Sequence, residues 1–214
     1  MKTKYNSKED KLFFTSDTHF GHQNIIKFCN RPYESAEEMN EKLIENWNRV
    51  VPEDGIVFHL GDFAFGGTPL WRSVCERLNG KIHLVIGNHD MKNLRAGAES
   101  LFESVNTQLQ LNIDGRAVYL NHYPFLCYGG AWRDPKDAVW QLFGHVHSGP
   151  LSSGKDSDRL YYTFPYQYDV GVDNNDYAPI SWDAVKEMIA YQIARSEPAS
   201  SVGKHTIPDE VYKE

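Results

Sequence analysis

Cysteine is scarce in this chain: Cys29, Cys75 and Cys127 are three residues in 214, far apart and odd in number. That excludes a disulfide-stapled scaffold and a thiolate zinc site, both of which need paired cysteines. Reduced, mostly buried thiols are expected instead. Long apolar runs are also missing, and none approaches the roughly 18 residues that mark a membrane span. The opening Met1 to Lys11 (MKTKYNSKEDK) is polar and charged, without the apolar stretch of a secretory signal. A cytoplasmic location with no membrane contact is the expectation. Basic residues are outnumbered, 22 Lys and Arg against 29 Asp and Glu, for a formal net charge of −7. Binding to extended nucleic acid relies on Lys and Arg neutralising many phosphates. The acidic balance argues against it and leaves a short nucleotide open. Internal repeats and low-complexity segments are absent too.

What is present is an ordinary globular composition, 41% hydrophobic and 24% charged. The length suits one domain, placed at residues 1–195, with a polar, unpatterned tail at 196–214. Three short apolar runs read as buried strands: Lys11 to Ser16, Gly55 to Leu60 and Lys81 to Ile86. Between them lie two helical patterns. The first, Ser35 to Val51, puts Met39, Leu43, Ile44, Trp47 and Val51 on one face, with Ser35, Glu37 and Glu38 suiting its N-terminus; the second runs from Pro69 to Leu78. This alternation predicts a parallel sheet. Later, Thr107 to Ile113 and Arg116 to Asn121 flank Asp114-Gly115, a favoured hairpin turn, so antiparallel strands are expected in the second half. Ala138 to Phe143 and Tyr168 to Val172 read as further strands, separated by an exposed loop from Ser148 to Arg159. A final helix, capped by Ser181 and ending near Arg195, presents Val185, Met188, Ile189 and Ile193 as a packing stripe.

Five polar motifs stand where apolar strands stop: Ser16-Asp17-Thr18-His19, Gly61-Asp62, Gly87-Asn88-His89-Asp90, Asn121-His122 and Gly144-His145-Val146-His147. Ligands bind at strand ends in open α/β sheets. Asp17 with His19, and His145 with His147, make chelating pairs, since near neighbours at a strand end can project into one cavity. Carboxylates together with imidazoles suit Mn, Fe, Zn or Ni rather than Ca. Asp62, after a glycine that permits close approach, is the candidate to bridge two ions. A single such motif is usually only a turn; five in order are not readily explained that way.

The order Asp-x-His, Gly-Asp, Gly-Asn-His-Asp, His, Gly-His-x-His resembles the calcineurin-like metallophosphoesterases. The stretch FTSDTHFGHQNII (Phe14 to Ile26) is similar to a branch of small bacterial and phage phosphoesterases. The resemblance covers about Phe13 to Val172 and implies a four-layer α-β-β-α sandwich with mixed central sheets. It further implies one divalent ion on Asp17, His19, Asp62 and His147, and another on Asp62, Asn88, His122 and His145, with Mn favoured. His122, a lone histidine at a strand end, rests on the resemblance alone.

The implied activity is phosphoester hydrolysis, most of all of a phosphodiester on a small nucleotide-like substrate, with a metal-bridging hydroxide as nucleophile. Two divalent ions bring four positive charges and the carboxylates of Asp17 and Asp62 cancel two, so the centre stays positive toward phosphate. His89 is the candidate general acid, with Asp90 orienting it or capping a helix. The sequence departs from several relatives after Asp62: Phe63-Ala64-Phe65-Gly66-Gly67 lacks their arginine. A phosphate-binding cation must then come from elsewhere, with Arg31, Lys92 and Arg133 as candidates and His22 as a further substrate contact. Histidines 59, 83 and 205 are expected to be structural. The cleft walls are placed at Gln23 to Glu34, Tyr123 to Arg133 and the loop after Gly149. A DNA nuclease and a non-catalytic, protein-binding scaffold of the same fold are the alternatives.

Overall fold

Strand alternation sorts the apolar side chains into two cores. The computed structural model describes residues 2–134, 137–151 and 163–196. Its first half contains β1 (Lys4–Tyr5), β2 (Leu12–Thr15), α1 (Gln23–Phe28), α2 (Ala36–Val50), β3 (Ile56–His59), α3 (Thr68–Cys75), β4 (Lys81–Val85) and α4 (Met91–Arg95). There follow β5 (Ser104–Asn106), β6 (Leu109–Ile113), β7 (Arg116–Leu120), β8 (Trp140–Phe143), β9 (Gln167–Asp169), β10 (Ile180–Ser181) and α5 (Trp182–Arg195). β2, β3, β4 and β5 form a parallel sheet, edged by β10 running antiparallel to β2.

One face of this sheet carries Val57, Ile82 and Leu84 against Met39, Leu43 and Trp47 of α2 and Trp71 and Val74 of α3. The neighbouring residues Phe58 and Val85 point the other way, as the period of two requires. With Leu12, Phe14 and Leu60 they meet Leu109, Leu111, Val118, Leu120 and Leu142 of the second sheet. Phe14 stacks on Phe58 at a centroid distance of 5.6 Å, and His83 stacks on the same ring at 5.1 Å. His83 is therefore a packing residue, as expected.

The second sheet has the order β1-β6-β7-β8-β9. Its hairpin turns at Asp114-Gly115, both with positive φ (53° and 84°), the geometry that this dipeptide favours. The antiparallel expectation holds for β6–β7 and for β10 but not beyond: β8 runs parallel to β7, and β9 parallel to β8. The connections at 121–139 and 144–166 are long enough for the crossover that a parallel pair needs. Tyr119, on the outer face of this sheet, packs on Phe125 and Tyr128 of the first connection.

α5 packs against β9, β10 and β2, with Ser181 Oγ accepting from Ala184 N as the expected cap. Val185 and Ile189 are buried, whereas Met188 is 38% exposed. The packing stripe runs instead through Trp182, Val185, Ile189 and Ile193, and Met188 stands about 120° round the helix from Trp182. Of the expected loop from Ser148 to Arg159, residues 152–159 lie outside the described residues, and Ser148 itself is buried against Asp169. The tail beyond 196, with His205, also lies outside them. Among the described residues, no helix is long and apolar enough to cross a membrane.

α2 begins where the sequence signals it: Ser35 Oγ accepts from Glu38 N at 3.1 Å, while Glu38 Oε2 accepts from Glu34 N. Replacing Ser35→Ala is expected to lower stability by about 1 kcal/mol, read from the midpoint of urea unfolding. An unshifted midpoint would show that the cap contributes nothing.

Candidate metal centre

Parallel pairing puts the C-terminal ends of β2, β3 and β4 at one edge of the first sheet, and those of β7 and β8 at one edge of the second. The five polar motifs leave from these ends. The loops are bonded to one another across both sheets: Asp17 N donates to Gly61 O, His19 N to Asp62 O, and Gly144 N to His122 O. His145 N donates to Asp17 Oδ2 at 2.8 Å, which joins the sheets directly.

Backbone conformation contributes more to convergence than strand alternation does. Asp17, His19, Asp62, His145 and His147 all adopt positive φ, between 47° and 71°, a left-handed region that costs a non-glycine residue on the order of 1–2 kcal/mol. Side chains two positions apart are thereby turned into one cavity. Such strain gathers where function requires it. Close approach of the loops demands glycine at two points. A Cβ on Gly87 would strike Asp62 Oδ1, and one on Gly144 would strike Ser16 Oγ and Asp17 Oδ2.

Seven of the expected ligands collect into two neighbouring groups. Donor atoms of Asp17, His19 and His147 lie within 4.8 Å of one another, and so do those of Asp62, His122 and His145. Asn88 Oδ1 joins the second group, 2.9 Å from His122 Nε2. Asp62 Oδ2 stands between the groups, 3.5 Å from His19 Nε2 and 3.6 Å from His122 Nε2. Its other oxygen accepts from His89 N at 2.9 Å.

The donor set fits cations on three observations. Asp17 Oδ1 and His19 Nε2 are buried without a hydrogen-bond partner, an arrangement costly unless something else is bound there. His122 Nδ1 lies 2.8 Å from Leu60 O, so that nitrogen carries the proton and Nε2 presents a lone pair to Asn88 Oδ1, itself an acceptor. Two acceptors facing each other call for a cation. His147 Nδ1 likewise bonds Asp173 Oδ2 at 2.7 Å, turning Nε2 toward Asp17 Oδ1, 3.7 Å away. Such outer carboxylates fix the tautomer of a ligating imidazole.

The electrostatics agree. Burial, and then the Asp17 charge, raise Asp62 to about 6, so its carboxylate is short of positive charge. Burial holds His19 well below the ordinary imidazole range, helped by His147 and Arg31. Burial also disfavours charge on His147, but the carboxylates of Asp17 and Asp173 outweigh it and raise that group well above normal. The proton they invite occupies the place of a cation.

A family model for the calcineurin-like phosphoesterase superfamily domain matches residues 11–158. The chain belongs to that superfamily. Its members are metal-dependent phosphoesterases that use divalent ions, and the two mixed sheets described above agree with the calcineurin-like fold. The chain is 39% identical over 132 residues to an uncharacterized protein of Methanocaldococcus jannaschii, covering 54% of this chain and 75% of that one. It is 28% identical over 204 residues to the gene 66 protein of a Mycobacterium phage, covering 83% and 95%. Among solved structures, a protein of unknown function from Aquifex aeolicus superposes with a TM-score of 0.60 at 24% identity, covering 84% of this chain and 99% of that one.

The expected substrate contacts are placed unevenly around this calcineurin-like centre. His22 lies beside it: its ring stacks on Phe65 at 3.7 Å, and its Nδ1 is 3.3 Å from His19 Nδ1. Burial, then His89, lower it to about 4. Arg31 departs from expectation. Its side chain is wholly buried, bonded to both Asp173 oxygens at 2.8 and 2.9 Å and to the carbonyls of Asp17 and Thr18. No substrate reaches it; it braces the first ligand loop from behind. Asp90 is also corrected. Its buried carboxylate accepts from the N–H groups of Asp62, Phe63 and Gly87, so it ties two loops together; it occupies the N-cap position of α4, but its side chain makes no cap bond there. Arg133 lines a cleft with Asp114, Gly115 and Arg116, at the hairpin end of the sheet. Lys92 is exposed on α4.

Histidine 59 is structural, as expected. Gly61 N donates to its Nδ1, leaving Nε2–H to donate to Thr18 Oγ1 at 2.9 Å. Asp173 went unread in the sequence, since it follows a short strand and carries no motif; the Arg31 charge was legible, but its direction was not.

Two outcomes test this geometry. Gly144→Ala pushes Asp17 aside and is expected to weaken Mn binding about ten- to a hundredfold in calorimetry; unchanged affinity would remove the close approach from the argument. Arg31→Ala takes the guanidinium from the buried Asp173 and leaves it the His147 ring as a partner, and should cost about 3–5 kcal/mol in urea unfolding.

Proposed function

We propose that this chain hydrolyses phosphodiesters of small, nucleotide-like substrates at a centre of two divalent transition-metal ions, with Mn favoured over Fe, Zn and Ni. One observation carries the reading: Asp62 Oδ2 lies between imidazole nitrogens of two separate ligand groups, the position of a carboxylate shared by two cations. Asp17, His19, Asp62 and His147 would hold one ion, and Asp62, Asn88, His122 and His145 the other. Bound ions supply positive charge for phosphate oxygens and a water acidified toward neutral pH.

The remaining tasks fall to side chains. The His89 ring is 45% exposed at the mouth, its Nε2 3.9 Å from Asp62 Oδ2, and its backbone is anchored to Asp62 Oδ1. That exposure beside Asp62 supports His89 as the group that protonates a leaving oxygen. Arg31 is turned inward and Arg133 lies at the hairpin end of the second sheet, so neither guanidinium opens on the candidate centre. A doubly charged monoester would draw on such a group more than a singly charged diester does, which supports the diester. The net charge of −7 supports a short substrate over DNA. The three cysteines form no disulfide, in keeping with a reducing, cytoplasmic setting.

Mn-loaded protein is expected to cleave a model diester faster than a model monoester or single-stranded DNA. Cleavage of DNA alone would favour a nuclease, and no cleavage of any ester a scaffold. His89→Asn should retain its metal, by elemental analysis, while turnover drops about a hundred- to ten-thousandfold. Unchanged turnover would take His89 out of the mechanism.

A further inference from the structure

A neutral hydrogen-bond donor stands at the mouth of the site. Tyr123 follows His122 and is 45% exposed, its ring 4.9 Å from that of His122 and 4.7 Å from that of His145. Its hydroxyl makes a long contact, 3.4 Å, to Asn88 Oδ1. That oxygen already faces the His122 Nε2 lone pair. At its length of 3.4 Å the hydroxyl contact is weaker than an ordinary hydroxyl hydrogen bond, so the phenolic proton is free to turn to a better acceptor at the opening of the site.

The placement of Tyr123 is built rather than incidental. Its N–H donates to Asn121 Oδ1 at 2.8 Å, and its carbonyl accepts from Gln141 Nε2 at 2.9 Å. Gln141 Oε1 accepts in turn from Phe125 N and from Gln167 Nε2, and Gln167 donates also to Phe125 O. Gln141 and Gln167 are buried within β8 and β9, where an unpaired amide would be expensive. Both are used to hold the turn from Tyr123 to Phe125. A phenolic hydroxyl is an ordinary hydrogen-bond donor at neutral pH.

We propose that Tyr123 contacts substrate, its hydroxyl donating a hydrogen bond to a nonbridging oxygen of the bound phosphate ester. This rests on the phosphoesterase reading above. A neutral donor in place of a guanidinium suits the single charge of a diester, so Tyr123 is a specificity-determining residue as well as a contact.

The test compares Tyr123→Phe with the wild type, both as Mn-loaded full-length chains. Four quantities are read: metal content, thermal unfolding, calorimetric affinity for inorganic phosphate, and kcat/KM on a model diester. Phenylalanine keeps the ring on His122 and His145, so metal content and unfolding should not move. Phosphate affinity and kcat/KM should both fall about ten- to a hundredfold, as for a lost hydrogen bond to a charged group. Values within twofold of the wild type would overturn the proposal. A parallel loss of metal would also overturn it, assigning Tyr123 to the support of Asn88. A wild type that binds phosphate but cleaves no ester would sink the hydrolase reading alone, with the phosphate comparison still deciding the role of Tyr123. A wild type that does neither would sink both.

Discussion

Asp17 and Asp62 each give one carboxylate oxygen to a backbone N–H on a loop from another strand, His145 N for the first and His89 N for the second. Each keeps its other oxygen in the cavity. The anchored oxygen sets the distance between loops, and the free one sets the chemistry of the space between them. Because His145 follows a strand of the second sheet, the Asp17 bond also fixes how the two sheets meet at this edge. The sandwich core and the ligand geometry therefore share one constraint.

Left-handed backbone at five candidate ligands is unfavourable, and the surroundings must compensate it. Some of that comes from the cross-loop backbone bonds, which replace the ladder lost when the strands end. More comes from Asp90, whose single carboxylate collects three N–H groups from two loops, and from Arg31, which collects two carbonyls and a carboxylate. A buried acid and a buried base thus hold opposite ends of the backbone polarity. Both look like reactants in a sequence and act as braces in the fold.

The long strands, α2 and α5 were legible because alternation and caps are local signals. β1 and β10, at two residues each, and β5, at three, carry too few positions for any period, and they pair only because the sheet beside them exists. The candidate motifs were legible because an apolar run gives way abruptly to Asp, Asn or His. The reason for their convergence was not, since alternation predicts shared faces while the structure uses turned backbone. Tyr123 was readable only as part of a cleft wall; its role depends on Gln141 and Gln167, whose burial no local pattern announces. The roles of Arg31 and Asp90 depend on partners 142 and 28 positions away.

That separation of 142 positions between Arg31 and Asp173 has a kinetic side. The brace behind the Asp17–His19 loop comes from a residue beyond the last of the five motifs, and the outer partner of His147 is the same carboxylate. A chain still emerging during synthesis, with Asp173 not yet made, has Asp17 and His19 but neither their brace nor an oriented His147. On the proposed metal reading, selective capture would wait until the sandwich has closed, and bound ions would report a finished fold instead of templating an unfinished one.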